Sequence, residues 1–126
     1  MLADSGRSRL GRHGEDVASA ELRRRGYVIL ARRYRTRAGE IDIVARDGEA
    51  IVFVEVKTRA SDRCGDPAEA VTPWKRRRLA WMAADYLARH GGGGDVPCRF
   101  DVVAIDVRGA EPTVTVYRDA FRVEPA

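Results

Sequence analysis

Three charged side chains interrupt two apolar stretches of this chain, and together they could hold a metal ion. Asp42 lies in the first stretch, and Glu55 and Lys57 lie in the second. Charges are costly to bury, so charges set among apolar residues usually coordinate or titrate something. Two carboxylates and a backbone carbonyl, here that of Val56, form a ligand set typical of Mg²⁺. We therefore expect Mg²⁺ or Mn²⁺ as the cofactor, with Asp42, Glu55 and Val56 as its ligands.

Lys57 is the candidate for acting on the reacting groups beside that metal. A metal there would polarise a phosphoryl oxygen and lower the pKa of a bound water. Lys57 could orient or help to deprotonate this water and offset charge in the transition state. Of the 23 basic residues only Lys57 and Lys75 are lysine. A lysine kept inside a strand indicates a need for a compact ammonium group, which the forked guanidinium of arginine does not match.

A hairpin is expected to bring these side chains together. Asp47-Gly48 separates the two apolar stretches and is a strong signal for a two-residue loop. Such a loop predicts four pairs: Arg46 with Glu49, Val44 with Ile51, Asp42 with Phe53, and Glu40 with Glu55. Because side chains alternate along a strand, the predicted charged face contains Glu40, Asp42, Glu55 and Lys57, and Ile51 and Phe53 share it. An amphipathic strand with a solvated Glu–Lys face is the alternative.

The chain resembles a known nuclease superfamily. An Asp followed thirteen residues later by Glu-x-Lys, on a hairpin after an N-terminal helix, is similar to the PD-(D/E)xK pattern. More closely, the chain is identified as a member of the YraN family of small bacterial proteins. The segments that carry this resemblance are GRHGEDVASAELRRRGYVIL, YRTRAGEIDIVARDG, IVFVEVKTR, AVTPWKRRRLAWMAADYL and RFDVVAI, which together make up more than half of the chain from Gly11 to Phe121.

This resemblance implies a restriction-endonuclease-like fold, similar to that of archaeal Holliday-junction resolvases. It also implies that Glu15, on the first helix, is a fourth catalytic residue that reaches the metal cluster. A carboxylate favoured at a helix start by the macrodipole is the alternative for Glu15. Glu40, at the start of its strand, is expected behind the ligands rather than on the metal. Arg33 stands where the family is expected to have Asn, and we place it outside the acidic cluster.

The rest of the chain predicts an α/β domain in the order α, β, β, β, α, β, β. Gly11 to Arg25 has helical spacing, Tyr27 to Leu30 is typical of a short buried strand, and the hairpin follows. Thr72-Pro73 is expected to open a helix that reaches about His90. The remaining segments are expected to form a loop over 60–70, a glycine loop over 91–94, and strands over 98–107 and 113–117. The prediction is a mixed sheet flanked by helices, in a single domain spanning 1–126 with a flexible segment over 1–10.

Composition restricts the cellular setting. No apolar run approaches membrane-spanning length, and the first residues, MLADSGRSRL, lack the apolar core of a secretory signal. We therefore expect a cytoplasmic protein without membrane contact. Cys64 and Cys98 lack partners at metal-ligand spacing and are interpreted as free thiols. His13 could act as a general base, but it is expected to be exposed. Asp101, in an apolar strand, is interpreted first as half of an arginine ion pair, with a catalytic role as the alternative.

The basic residues occur in blocks, which suits a polyanionic partner. The net charge is +4 and the pI about 9.5. A basic surface around an acidic site would hold a nucleic acid over a metal ion. The residues expected to contact its backbone are Arg33, Arg35, Arg37, Lys75, Arg76, Arg77 and Arg78. The alternative is that such charges only keep the surface solvated.

Two functions follow from these features. The first is a metal-dependent endonuclease or exonuclease that hydrolyses phosphodiester bonds in DNA, with branched or damaged structures as candidate substrates. The second is a non-catalytic or partner-dependent nucleic-acid-binding module on the same scaffold. Asp42, Glu55 and Lys57 favour the first, because a module that only binds has no need of all three. DNA is the expected partner; RNA and a homodimer stay open.

Overall fold

Turn and cap residues divide the chain into the elements that the sequence predicts. The computed structural model describes residues 9–59, 71–91 and 95–122. The elements are α1 (Arg9–Arg24), β1 (Val28–Thr36), β2 (Gly39–Asp47), β3 (Ala50–Arg59), α2 (Pro73–His90), β4 (Cys98–Asp106) and β5 (Thr113–Phe121). Their order is the predicted one, and the mixed α/β architecture is confirmed and is compatible with a restriction-endonuclease-like fold.

The five strands form one mixed sheet in the order β1-β2-β3-β4-β5. All neighbouring pairs are antiparallel except β3 and β4, which are parallel. A parallel pair needs a long crossover connection, and α2 lies in the segment that joins these two strands. The sheet therefore consists of an N-terminal three-stranded meander to which the crossover adds a C-terminal hairpin.

Each face of the sheet is covered by one helix. Ala18 and Leu22 of α1 pack on one face in a core that contains Ile43 and Val54. On the opposite face, Met82 of α2 packs in a second core, which is completed by residues such as Val44, Phe53 and Tyr86. Because β3 is covered on both faces, its side chains are apolar without alternation, as is typical of a central strand. This explains the unbroken apolar run over 51–54.

Both helices have identifiable ends. After α1 the chain turns through Gly26, whose φ of 95° lies in the left-handed region that glycine adopts without strain. Thr72 caps α2, since its hydroxyl accepts from the Lys75 N–H at 3.2 Å, and Pro73 is the first helical residue. The predicted cap and first-turn proline are thus confirmed. Gly91 ends the helix, and its N–H donates to the Leu87 carbonyl at 2.8 Å.

The predicted hairpin register is wrong by two positions. Asp47 pairs with Ala50 and Val44 with Phe53, so the loop is Gly48-Glu49 rather than Asp47-Gly48. Gly48 takes the first loop position with a φ of 62°, where glycine favours a two-residue turn. The shift is even, so it does not exchange the two faces of either strand. Extended by one residue, the observed register places Asp42 opposite Glu55 instead of diagonal to it.

The first strand also differs from its prediction. It continues past Leu30 to Thr36, and it is an edge strand rather than a buried one, with Val28 46% exposed. Its second half carries Arg32, Arg33 and Arg35, so it lacks the pattern of apolar residues by which a strand is recognised in a sequence. Their long side chains can reach solvent or partners from an edge position.

Some predictions fall outside the described residues. These are the flexible segment over 1–10 as far as residue 8, the loop over 60–70 with Cys64, and the glycine loop over 91–94 from residue 92 onward. The end of the flexible segment is wrong, because α1 already begins at Arg9. Cys98 is a free, exposed thiol as expected. Of the helices in the described residues, none is long and apolar enough to cross a membrane.

Candidate functional site

The candidate site lies where β1 and β2 both change the face that their side chains occupy. Ile41 packs in the α2-side core while Ile43 packs in the α1-side core, although regular alternation would place them together. Across the ladder, Tyr34 pairs with Ile41 and Arg32 with Ile43. Between these pairs stand Asp42 and Arg33, and Arg33 has a φ of 52°. This left-handed residue breaks the alternation, so Asp42 lies at the point where the two faces exchange.

Asp42 is bound to the Glu-x-Lys segment of β3. Its carboxylate is buried, and its Oδ2 accepts from the Val56 N–H at 2.8 Å. The residue-by-residue β2–β3 pairing ends at Ile43 and Val54, just before this contact. A side-chain hydrogen bond thus continues the connection where the backbone pairing stops. Asp42 is brought against the segment that carries Glu55 and Lys57, as the sequence predicts.

Glu55 and Lys57 share one face of β3. Val54 packs in the α1-side core and Val56 lies against it, while Phe53 packs in the α2-side core. Since β3 pairs with β4 without interruption from Ile51 to Arg59, alternation places Glu55 and Lys57 on the side of Phe53. Both are half-buried. A strand residue directs its N–H and C=O to the same neighbour, so we expect the Val56 carbonyl to face the Asp42 side.

Glu15 approaches from the α1 side, where Arg33 neutralises it. Its side chain is fully buried, and its Oε1 accepts from Arg33 Nε at 2.8 Å. Glu15 is the seventh residue of α1, beyond the first turn in which the macrodipole favours a carboxylate. The alternative of a helix-start carboxylate is therefore wrong. Gly14 lets α1 approach closely, because a Cβ there would overlap Thr58 Oγ1.

The position of Arg33 outside the acidic cluster is also wrong. Its left-handed backbone turns its side chain to Glu15, one of the predicted catalytic residues. Asparagine, the residue expected in the family, is one of the few non-glycine types enriched in that conformation. Arginine instead adds a cation beside the buried carboxylate. Glu40, expected behind the metal ligands, is half-buried and lies 2.9 Å from Arg35 Nε.

Carboxylate, amide and carbonyl oxygens are the ligands that Mg²⁺ prefers, and the donors brought together at β2 and β3 are of this type. Within residues 9–59, 71–91 and 95–122, no group of three or more His, Cys, Asp and Glu side chains is placed to hold a metal ion. The expected ligands Asp42 and Glu55 are two such side chains. Glu15, which the resemblance implies as a further carboxylate at the metal, is not placed with them to hold an ion. The donor chemistry suits a hard divalent ion.

The predicted basic block of α2 separates into inward and outward side chains. Arg76 Nε donates to the Val71 carbonyl at 2.9 Å, and its guanidinium lies 5.1 Å from the Phe121 ring centroid. Arg77 is exposed, and Arg78 lies over the Trp74 ring. Because Thr72 accepts the Lys75 N–H and Pro73 has none, two of the groups that an anion could use at this helix start are not available.

Two exposed residues, Trp74 and Trp81, were missed by the sequence reasoning. They lie seven positions apart on α2, on the side away from the buried residues Leu79 and Met82. Their signal was present in PWKRRRLAW, where two tryptophans flank a basic run off the apolar stripe. Exposed Arg37 and Arg35 lie in the same hollow as Trp81. Parts of both predicted basic blocks therefore meet around one tryptophan.

Asp101 has a structural role, as first interpreted. Its buried carboxylate accepts from Arg99 Nε at 3.0 Å, from Tyr27 Oη at 2.9 Å and from the Asp119 N–H at 2.9 Å. Burial raises the pKa of Tyr27, and the charge of Asp101 raises it further. For Arg99, burial opposes the charged form, but its bonds to Asp101 and Asp47 outweigh this and raise the pKa. His13 is exposed, as expected.

Comparison with known proteins gives a consistent result. The sequence profile of one family, described as uncharacterised protein family UPF0102, matches residues 14–105. A UPF0102 protein of Anaeromyxobacter dehalogenans is 49% identical over 116 residues, covering 92% of this chain and 86% of its own. One from Symbiobacterium thermophilum is 54% identical over 98 residues, covering 78% and 82%. One from Geotalea uraniireducens is 47% identical over 115 residues, covering 90% of each.

Proposed function

The chain belongs to the uncharacterised protein family UPF0102, and from this premise and the contacts of Asp42 we propose that it is a metal-dependent nuclease-like protein. Its reaction is hydrolysis of phosphodiester bonds in DNA, and branched or damaged structures are its candidate substrates. The membership confirms the YraN resemblance. Because the family's description names no activity, the proposal rests on the site.

The observation that carries the proposal is the hydrogen bond from the Val56 N–H to Asp42 Oδ2. It holds a buried carboxylate against the Glu55–Lys57 segment at the point where the β2–β3 pairing ends. A stable hairpin needs no carboxylate here, since an apolar residue would avoid the cost of burying a charge. A buried carboxylate held beside a Glu and a Lys of the next strand is typical of a site that binds or titrates something.

Asp42, Glu55 and the Val56 carbonyl would hold the divalent ion, which supplies Lewis-acid stabilisation of the phosphate when bound. Asp42 is the fixed member of this set, because its hydrogen bond to β3 limits its rotation. Glu55 is half-buried on the same segment and would supply the second carboxylate. Glu15 can contribute only when its carboxylate is not committed to Arg33.

Lys57 follows Glu55 on the same face of β3 and is half-buried. Its ammonium group can donate to a phosphate oxygen and offset the charge that develops there. It can also orient an attacking water through a hydrogen bond. The three rotatable donors of an ammonium group suit both tasks better than the planar fork of arginine.

A second function, a non-catalytic or partner-dependent nucleic-acid-binding module, is favoured by a specific contact. Arg33 Nε lies 2.8 Å from Glu15 Oε1. Glu15 would need this oxygen to bind a metal ion. A protein that only binds nucleic acid tolerates such an ion pair, and one that needs a partner could use it as an inhibited state. The two functions differ in turnover, so a cleavage assay separates them.

The test is cleavage of plasmid and branched DNA in Mg²⁺, Mn²⁺ or EDTA by the protein and its isosteric variants. Asp42→Asn and Glu55→Gln should abolish metal-dependent cleavage and weaken saturable Mn²⁺ binding, while both variants stay folded. Glu111→Gln changes an exposed carboxylate and should leave both unchanged. Cleavage that persists in Asp42→Asn, or unaltered metal affinity in both site variants, would remove the site.

Lys57 variants test the role of the lysine. Lys57→Ala should lower the cleavage rate by about 10²–10³-fold, the size expected for loss of a transition-state donor, with little change in DNA affinity. Lys57→Arg should not restore the rate, because the geometry and the proton affinity both differ. A fully active Lys57→Arg protein, or a Lys57→Ala defect confined to binding, would contradict a specific role for the lysine.

A further inference from the structure

The two tryptophans of the chain, Trp74 and Trp81, are both exposed. Their exposed fractions are 59% and 74%. Residues seven apart on a helix lie on nearly the same face, here separated by roughly 10 Å along the axis. A tryptophan is usually buried because it removes a large apolar area from water. Two of them on one outer helix face therefore indicate a surface that binds something.

The surroundings of Trp81 are basic. A hollow of about 280 Å³ is lined by Trp74, Trp81, Ala38 and two arginines, Arg77 and Arg78. A larger hollow on the other side of Trp81 adds three more arginines to the shared surface, namely Arg35, Arg37 and Arg89. Asp85 is the acidic residue among the described lining, and Arg89 lies 3.1 Å from it. The two exposed rings therefore lie on a positively charged surface.

Arg78 connects the aromatic and the basic features. Its guanidinium carbon lies 4.7 Å from the Trp74 ring centroid, which is within cation–π distance. This contact holds the Trp74 ring and leaves its outer side for a ligand. Arg78 Nε is buried and donates to no acceptor in the part of the chain that the structure describes.

We propose that Trp74 and Trp81 form a stacking platform for the bases of an unpaired DNA strand, with Arg37, Arg77 and Arg78 holding its phosphates. This inference rests on the proposed function and names the structure of its substrate. Proteins bind single strands by combining a basic groove with aromatic rings on which bases stack. A duplex hides its base faces within the helical stack, so it cannot use the two rings in this way.

The platform lies close to Asp42 along the chain. Ala38, which lines both hollows, comes one residue before β2, and Asp42 follows four residues later. At about 3.3 Å per strand residue, the separation is roughly 13 Å. Gly39 lies between them, close enough to Arg78 that a Cβ there would be 3.9 Å from its guanidinium carbon. Unpaired bases held at the platform would place the adjoining backbone at the Asp42 end of the sheet.

Intrinsic fluorescence tests the platform directly, because all tryptophan emission of the protein comes from these two residues. A single-stranded oligonucleotide and a blunt duplex are titrated separately in EDTA, so that turnover does not contribute, and binding is followed in parallel by anisotropy of a labelled strand. The single strand should quench the emission. Trp81→Ala should weaken its binding by about 5- to 150-fold, the equivalent of losing one stacked base, and Trp81→Phe by less.

Duplex affinity should change little in the same variants, and Val28→Ala, at an exposed apolar residue of β1, should change neither. The platform is overturned if the single strand binds without affecting the emission, or if Trp81→Ala weakens single-strand and duplex binding equally. It is also overturned if the tryptophan variants only abolish self-association or protein binding. Loss of cleavage with intact, tryptophan-dependent binding would instead count against the proposed hydrolysis alone.

Discussion

At the scale of single residues, Arg33 is the side chain whose replacement is most informative. It combines a left-handed backbone with an ion pair to a fully buried glutamate. Arg33→Asn removes the cation from Glu15 but suits the backbone conformation. We expect the metal-free variant to be less stable than the original protein by about 1–3 kcal/mol, the usual effect of removing a charged hydrogen-bond partner from a buried group. Chemical denaturation in EDTA measures this.

The metal response of the same variant identifies the role of Glu15. If Glu15 joins the ion once Arg33 is gone, Mn²⁺ should raise the unfolding temperature of Arg33→Asn more than that of the original protein, since ligands that bind the native state stabilise it. Arg32→Asn is the matched control, because Arg32 lies next to Arg33 but pairs with exposed Asp16. Identical metal responses of all three proteins would exclude Glu15 from the metal site.

At the scale of the elements, the close approach of α1 to β3 depends on Gly14. Gly14→Ala should gain up to about 1 kcal/mol in helix propensity, but its Cβ would overlap Thr58 Oγ1, and overpacking typically costs about 1–3 kcal/mol. We expect net destabilisation and a displaced Glu15. The double variant with Thr58→Ala should recover stability beyond the sum of the single effects, as a double-mutant cycle by denaturation would show. Simple additivity would mean that the helix does not contact Thr58.

Sequence reasoning predicted the elements well, because their signals are local. Thr72-Pro73 marks the start of α2, and the apolar run over 51–54 marks the central strand. The hairpin register was missed by two positions, since Asp47-Gly48 shows that a turn exists but does not determine which two residues form its loop. The face exchange at Arg33 depends on a backbone conformation that arginine rarely adopts. The periodicity of apolar residues therefore does not predict this exchange of faces.

The candidate site was predicted in the same uneven way. The contact of Asp42 with the Glu55–Lys57 segment follows from strand pairing, which residue spacing indicates. The ion pair between Glu15 and Arg33 follows from tertiary packing between α1 and β1, which spacing does not reveal. Trp74 and Trp81 lie off the apolar stripe of α2 in the sequence, but their exposure follows only from the placement of the neighbouring elements.

At the scale of the whole molecule, arginines that can bind nucleic acid differ from arginines that stabilise the fold. Arg77→Gln and Arg37→Gln should each weaken DNA binding similarly across sequences and flatten its salt dependence by about 0.7–0.9 units. Arg76→Gln should leave the salt dependence unchanged and lower the stability, because Arg76 binds the Val71 carbonyl and covers Phe121. Affinity is measured from low to moderate salt.

Arg24→Gln, on the exposed surface of α1, is the control for unspecific loss of positive charge. If the salt dependence falls by the same amount in Arg24→Gln and Arg77→Gln, the binding is diffuse attraction to a basic protein. If neither Arg37→Gln nor Arg77→Gln changes it, the nucleic acid lies on another surface. Metal binding at Asp42 should be unaffected in all of these variants.

The outer edge of β1 has a consequence for how this protein behaves in solution. A strand at the edge of a sheet offers unpaired backbone groups to any other extended chain, and exposed apolar residues such as Val28 and Leu30 make this more favourable. Here the edge is interrupted by a register shift between Ile29 and Ala31 and by the left-handed Arg33. Charge and irregular backbone at this edge thus oppose the addition of one copy of the chain to another as a strand. Resistance to aggregation is a second reason for arginine to be there.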